Sequence, residues 1–171
     1  MKLIADGKFD YVTDITPEKL NDKGIKLVLA DLDNTLEPYN ALEPREEIIR
    51  WHESLRAAGI TLCIVSNNKK ASGVKYLEKL GAPYIVDAKK PKADSLLAAM
   101  DRFGGDRNST VMVGDQTFTD VLAGHRAGVP VLMVRPVKLE DPLRTLRYWA
   151  EWIFRAPLRK KDFFQEDRRK N

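Results

Sequence analysis

Cysteine is almost missing from this chain. Only Cys63, one residue of 171, carries a thiol, so no internal disulfide can form and the fold must rest on its apolar core. Cys63 lies in the apolar run Ile60-Thr61-Leu62-Cys63-Ile64-Val65, which predicts a buried strand residue and a reducing, cytoplasmic setting. Long hydrophobic runs are missing as well: nothing approaches the roughly 20 apolar residues of a membrane-spanning helix. The opening Met1-Lys2-Leu3-Ile4-Ala5-Asp6-Gly7-Lys8 meets charge too early for the apolar centre of a secretion signal. A protein in solution, or one resting on a membrane surface, is expected. Asn108-Ser109-Thr110 then reads as a loop rather than a glycosylation acceptor. The chain has two histidines, His52 and His125. Both fall in predicted helices and are assigned packing or surface roles rather than chemistry.

What is present suits one compact domain, because a chain of this length can bury roughly two-thirds of its unfolded surface. The net charge of +4 is unevenly placed. Residues 135–171 hold 11 Lys and Arg against 6 Asp and Glu, which leaves the first 134 residues at −1. A localised basic excess bears on partners and says little about fold.

Short apolar runs recur at Lys26–Ala30, Ile60–Val65, Ala82–Val86, Thr110–Val113 and Pro130–Val134. Helical patterns precede, separate or follow them: Pro17–Lys23, Pro44–Ala58, Ala71–Leu80, Ala93–Phe103 and Thr119–Ala127, each closing at or before a glycine. Strands of about five residues alternating with helices of about ten predict right-handed crossovers. The expected fold is α/β: a doubly wound, mainly parallel five-stranded sheet with helices on both faces. Residues 1–155 are expected to form this single domain, with 156–171 a basic tail that frays toward its end.

Ligands bind beyond the carboxyl ends of such strands. Those positions hold Asp31-Leu32-Asp33-Asn34-Thr35, then Ser66-Asn67-Asn68, then Lys89-Lys90-Pro91-Lys92, then Gly114-Asp115 with Asp120 five residues on. Asp31 and Asp33, two apart on an extended segment, would crowd two carboxylates together unless a cation lay between them. A hard divalent ion with oxygen ligands is implied, and Asp115 would add a third carboxylate to a magnesium site. Taken singly, each residue has a plainer structural reading. Asp115 and Asp120 could serve caps or turns, Ser66 and Asn67 could cap the next helix, and Lys90 could be solvated. Together they follow four different strands, in order, on the one edge where the sheet gathers them.

These residues resemble the four ordered motifs of the haloacid dehalogenase superfamily across residues 27–120. The resemblance implies a nucleophile at Asp31, a general acid and base at Asp33, and phosphoryl ligands at Ser66 and Lys90. It implies magnesium at Asp115 supported by Asp120. The expected metal set is Asp31, Asp33 and Asp115; the expected phosphate set is Ser66, Asn67 and Lys90; Thr35 is expected to hold the loop. Position beside Pro91 favours Lys90 over Lys89 and Lys92. Dehalogenases of the superfamily have no acid two positions past the nucleophile, so Asp33 points to a phosphatase.

Substrate choice in that superfamily usually comes from an inserted cap. Here 30 residues separate Thr35 from Ser66 and 23 separate Ser66 from Lys90, room for one helix and one strand in each gap and no cap. An open site admits large substrates: a phospholipid head group, a protein or a nucleic-acid end. Tyr11-Val12-Thr13-Asp14-Ile15-Thr16-Pro17, Ile64-Val65-Ser66-Asn67-Asn68 and Gly114-Asp115-Gln116-Thr117-Phe118-Thr119-Asp120-Val121 look like the bacterial YqeG family, itself similar to the mitochondrial phosphatidylglycerophosphate phosphatases. That likeness makes phosphatidylglycerophosphate a candidate substrate. In the tail, Leu143, Leu146, Trp149, Ala150, Ile153 and Phe154 form one helical apolar face, most simply packed on the domain. The basic and aromatic residues from Arg155 to Phe164 suit an anionic lipid surface or a nucleic-acid backbone. A soluble phosphatase for a nucleotide, a sugar or a nucleic-acid end, and a non-catalytic assembly protein, remain alternatives.

Overall fold

Six short segments pair into one sheet in the computed structural model, which describes residues 3–138 together with 146, 150 and 163. They are β1 (Gly7–Phe9), β2 (Leu27–Ala30), β3 (Thr61–Val65), β4 (Tyr84–Ile85), β5 (Thr110–Gly114) and β6 (Val131–Val134). The spatial order is β1-β6-β5-β2-β3-β4, and every pairing is parallel. Parallel neighbours need long crossovers, which the intervening helices provide: α1 (Pro17–Asp22), α2 (Glu46–Ala57), α3 (Ala71–Leu80), α4 (Asp94–Phe103) and α5 (Leu122–Ala127).

The doubly wound parallel sheet is as expected, with six strands rather than five. The additional strand, β1, is three residues long with a lysine at its centre, so no apolar run announced it. It extends the sheet by pairing with β6. The run predicted at Ala82–Val86 contracts to Tyr84–Ile85 at the opposite edge, where Pro83 has no N–H to offer a ladder. The helix predicted from Thr119 begins earlier, as a π-helical turn over Thr117–Val121 that runs into α5.

Period-two alternation splits the strand residues between two cores. Val28, Ala30, Leu62, Ile64, Val111 and Val113 face a cluster with Leu20, Ile48, Leu55 and Tyr76 from α1, α2 and α3. Leu27, Leu29, Cys63, Val65 and Met112 face the opposite layer, with Leu96, Ala99 and Ala123 from α4 and α5. The central strands are therefore buried on both faces, which is why they read as continuous apolar runs. Cys63 is a free, buried thiol whose pKa burial pushes up to about 12, which makes it chemically inert.

Among the described residues no helix is long and apolar enough to cross a membrane. The tail readings lie almost wholly outside the described residues. Of the predicted apolar face, Leu146 and Ala150 are helical and exposed. Phe163 packs against the core formed with α1, α2 and α3, and Lys23 Nζ lies 5.8 Å from its ring centre.

Candidate active site

The chain leaves β2 for β3 on one side and later returns to place β5 on the other, so the carboxyl end of β2 borders a topological switch point. Asp31 stands directly after β2, and its N–H donates to Val113 O of β5 at 2.9 Å. Asp115 stands directly after β5. The register that pairs Ala30 with Val113 brings Asp31 level with Gly114, so Asp115 follows one residue further along the neighbouring strand. Between them and the following helix, Gly114 is required sterically: a Cβ there would lie 2.4 Å from atoms of the Asp120 side chain. Its missing side chain lets Asp120 fold back toward the sheet, where Gln116 N–H holds Asp120 Oδ2 at 3.0 Å.

Lys90 reaches into this group from the loop after β4. Its ammonium donates to Asp31 Oδ1 at 2.7 Å and to Asp120 Oδ1 at 2.8 Å, and its side chain is only 2% exposed. Carboxylate oxygens of Asp31, Asp115 and Asp120 all lie within 4.8 Å of one another, and all three residues are buried. Thr35 Oγ1 donates to Asp115 Oδ1 at 3.4 Å. Lys89 and Lys92 are exposed, so of the three lysines it is Lys90 that the fold turns inward.

One ammonium cannot neutralise three buried carboxylates. Burial pushes the Asp31 pKa from its ordinary 3.8 up to about 7; Lys90 pulls it down and the Asp120 charge adds to the rise. Burial also disfavours the Lys90 charge, but Asp120 and Asp31 outweigh it and hold its pKa above the usual lysine value. The cluster keeps an excess of negative charge in a dry place. Its donors are hard carboxylate oxygens, so it fits Mg²⁺ by charge and by donor type.

The remaining predicted residues fall around this centre. Asp33 is close enough for its charge to raise the Asp31 pKa, yet its carboxylate is not one of the three clustered. It accepts a hydrogen bond from Asn68 Nδ2 at 3.1 Å. Asp120, expected in support, is the third carboxylate of the cluster. Ser66 is buried, and its Oγ accepts from Asn68 N–H at 3.0 Å. Asn67, expected at phosphate, spends its amide on the Lys90 backbone: Nδ2 donates to Lys90 O at 2.9 Å and Oδ1 accepts from Lys90 N–H at 2.7 Å. Two residues stand out to which the strand-end reading gave no role. Asn68 touches Asp33, and Glu37 is a carboxylate only 1% exposed. No periodicity marks a buried acid inside a loop, so Glu37 carried no sequence signal.

An open groove of about 770 Å³ runs beside Thr13, Thr16, Trp51 and Ser54 and contains none of the predicted site residues. His125 pairs with Asp6 at 3.0 Å, and His52 sits half-buried on α2 with its pKa lowered by burial. Neither belongs to the carboxylate cluster.

Fold and site together define a class, and comparison with known proteins agrees. Residues 2–128 match the haloacid dehalogenase-like hydrolases, and the chain belongs to that family. It is 37% identical over 127 residues to the probable phosphatase YqeG of Bacillus subtilis (strain 168), a match covering 74% of each protein. It is 34% identical over 123 residues to the phosphoglycolate phosphatase of Agrobacterium fabrum, covering 61% of this chain and 52% of that one. The cobalt-bound deoxy-D-mannose-octulosonate 8-phosphate phosphatase of Haemophilus influenzae shares the fold, with a TM-score of 0.56 at 19% identity over 88% of this chain and 97% of its own. The chain is a phosphatase of this hydrolase family.

Proposed function

We propose that this protein is a Mg²⁺-dependent phosphomonoester hydrolase that works through an aspartyl-phosphate on Asp31, with a phosphorylated lipid such as phosphatidylglycerophosphate as its preferred substrate class. The observation carrying the reaction is the Lys90 ammonium shared between Asp31 and Asp120 inside a buried carboxylate trio. An attacking carboxylate and an incoming phosphoryl group repel, and a buried cation beside the nucleophile offsets that repulsion. Asp31, Asp115 and Asp120 would hold Mg²⁺, which supplies further neutralisation of phosphoryl charge.

A carboxylate oxygen of Asp31 attacks phosphorus while the ester P–O bond breaks, and its electron pair leaves with the departing oxygen. Asp33 gives that oxygen a proton. Asp33 then takes a proton from water as the water oxygen attacks phosphorus. The bond between phosphorus and Asp31 breaks, which restores the carboxylate and releases phosphate. Ser66 Oγ already accepts from Asn68, so its proton is available to a phosphoryl oxygen. Asn67 acts on phosphate through Lys90, whose backbone it clamps.

The lipid reading rests on the surroundings. One helix, α2, joins β2 to β3 and one, α3, joins β3 to β4, so among the described residues neither connection carries an inserted lid. Exposed Tyr11, Leu42 and Phe118 follow β1, β2 and β5, on the same carboxyl edge as exposed Lys69, Lys89 and Lys92. Apolar side chains among lysines suit an anionic interface. A soluble substrate is the second reading, favoured by the likeness to phosphoglycolate phosphatase. Phosphate release is to be measured across phosphatidylglycerophosphate in vesicles, phosphoglycolate, sugar phosphates and nucleotides, with and without chelator. The expected result is metal-dependent release that is fastest from the lipid, with mass spectrometry finding a phosphoryl group on Asp31. Faster release from a soluble ester would overturn the lipid reading, and metal-independent release the mechanism.

A further inference from the structure

We infer that Glu37 is a positioning residue for Asp33, acting through a buried strut that ties the Asp33 loop to α2 and α3; this rests on the phosphatase reading above. Glu37 lies six residues past the nucleophile and belongs to no motif the chemistry used. Its carboxylate is nonetheless fully engaged. Oε1 accepts from Arg45 N–H at 2.8 Å and from the Tyr76 hydroxyl at 3.0 Å, and Oε2 accepts from Arg45 Nε at 2.7 Å. Arg45 also donates to Leu36 O at 2.8 Å. Tyr76, on α3, is fully buried, and burial with the Glu37 charge raises its pKa well above the ordinary value, so it remains a donor.

The backbone of the same residue holds the Asp33 loop. Glu37 O accepts from Asn34 N–H at 2.6 Å, Glu37 N–H donates to Leu32 O at 3.2 Å, and Asp33 pairs with Glu37 in an isolated bridge. From the other side, Asn68 Nδ2 grips the Asp33 carboxylate at 3.1 Å, and Asn68 leads into α3, which carries Tyr76. The result is a closed ring: Asp33, the Glu37 backbone, the Glu37 carboxylate, Tyr76, α3, Asn68 and back to Asp33. Asp33, Glu37 and Asn68 line a common cavity of about 10 Å³, room for about one water and none for substrate. Glu37 therefore acts on the reaction through Asp33.

An apolar residue would fill this space without the desolvation cost of a buried carboxylate. What a carboxylate adds is three directed bonds to two helices. Proton transfer by a placed acid contributes roughly 10²- to 10⁴-fold and depends steeply on geometry. Departure of an alkoxide requires the Asp33 proton, whereas p-nitrophenolate leaves without it. Glu37→Gln and Tyr76→Phe are to be compared with the wild type in kcat/KM, which reports steps through phosphoenzyme formation, on an alkyl phosphate and on p-nitrophenyl phosphate. The expected result is that both variants lose about tenfold more on the alkyl ester than on the aryl ester. Equal losses on both esters, or none, would overturn the inference while leaving the phosphatase reading intact. A wild type that cleaves neither ester would overturn both. Should Glu37→Gln fail to fold, Tyr76→Phe, which removes one bond and no charge, gives the same comparison.

Discussion

Removing the titratable proton from Asp31 should stabilise the metal-free protein, and increasingly so as pH rises. Burial lifts the Asp31 pKa from 3.8 to about 7; the Lys90 ammonium opposes the rise only in part, and the charges of Asp120 and Asp33 add to it. Between those two values the native state keeps a proton that the unfolded chain has released. Stability from this group is therefore full below pH 4 and falls by about 1.4 kcal/mol per pH unit until the native carboxyl ionises near pH 7. The whole change is on the order of 4 kcal/mol. Lys90, with its pKa held above the ordinary value, stays charged throughout and does not contribute. Urea denaturation of wild type and Asp31→Asn, in chelator from pH 4 to pH 8, measures the difference directly. The variant should gain several kcal/mol relative to wild type across that range, and Mg²⁺ should raise the wild-type melting temperature more at pH 8 than at pH 5. A difference independent of pH, or one favouring the wild type as pH rises, would show that Lys90 overcomes the burial cost and would refute the account of the site.

Lys90→Met should leave buried carboxylates without their counter-ion, costing about 3–5 kcal/mol in denaturant titrations and abolishing turnover; full turnover would remove Lys90 from the mechanism. Gly114→Ala places a methyl group 2.4 Å from Asp120 atoms, so a loss of about 1–3 kcal/mol is expected together with weaker Mg²⁺ binding by calorimetry; unchanged binding would mean that Asp120 is not held there for the ion. Asn67→Ala removes both bonds to the Lys90 backbone, at about 0.5–1.5 kcal/mol each in melting experiments. Its kcat should fall further than that cost implies, because Lys90 loses its alignment; a fall in stability with kcat intact would make the clamp purely structural.

The strands and helices were legible because burial on both faces leaves continuous apolar runs and because helices here stop at glycine. Gly81, Gly104 and Gly128 each take the left-handed conformation that ends α3, α4 and α5. Strand β1 escaped because three residues with a central lysine owe their pairing to the β6 edge rather than to their own hydrophobicity. The π-helical turn escaped as well: it carries Asp120, whose side chain packs over Gly114, a contact between residues whose types alone do not specify it.

Which residue types would gather at the sheet's carboxyl edge was determined by the sequence itself, since side chains that follow parallel strands have only that edge to occupy. What each would touch was decided by the tertiary structure. Asp120 rather than Asp33 joins Asp31 and Asp115, Asn67 turns to the Lys90 backbone, and Glu37 is buried between α2 and α3. Hydrophobic periodicity is a local property that a chain displays along its length. Burial of charge is not: whether a carboxylate keeps its charge, finds a lysine or braces a loop depends on partners brought from distant positions, and those exist only once the sheet has closed around them.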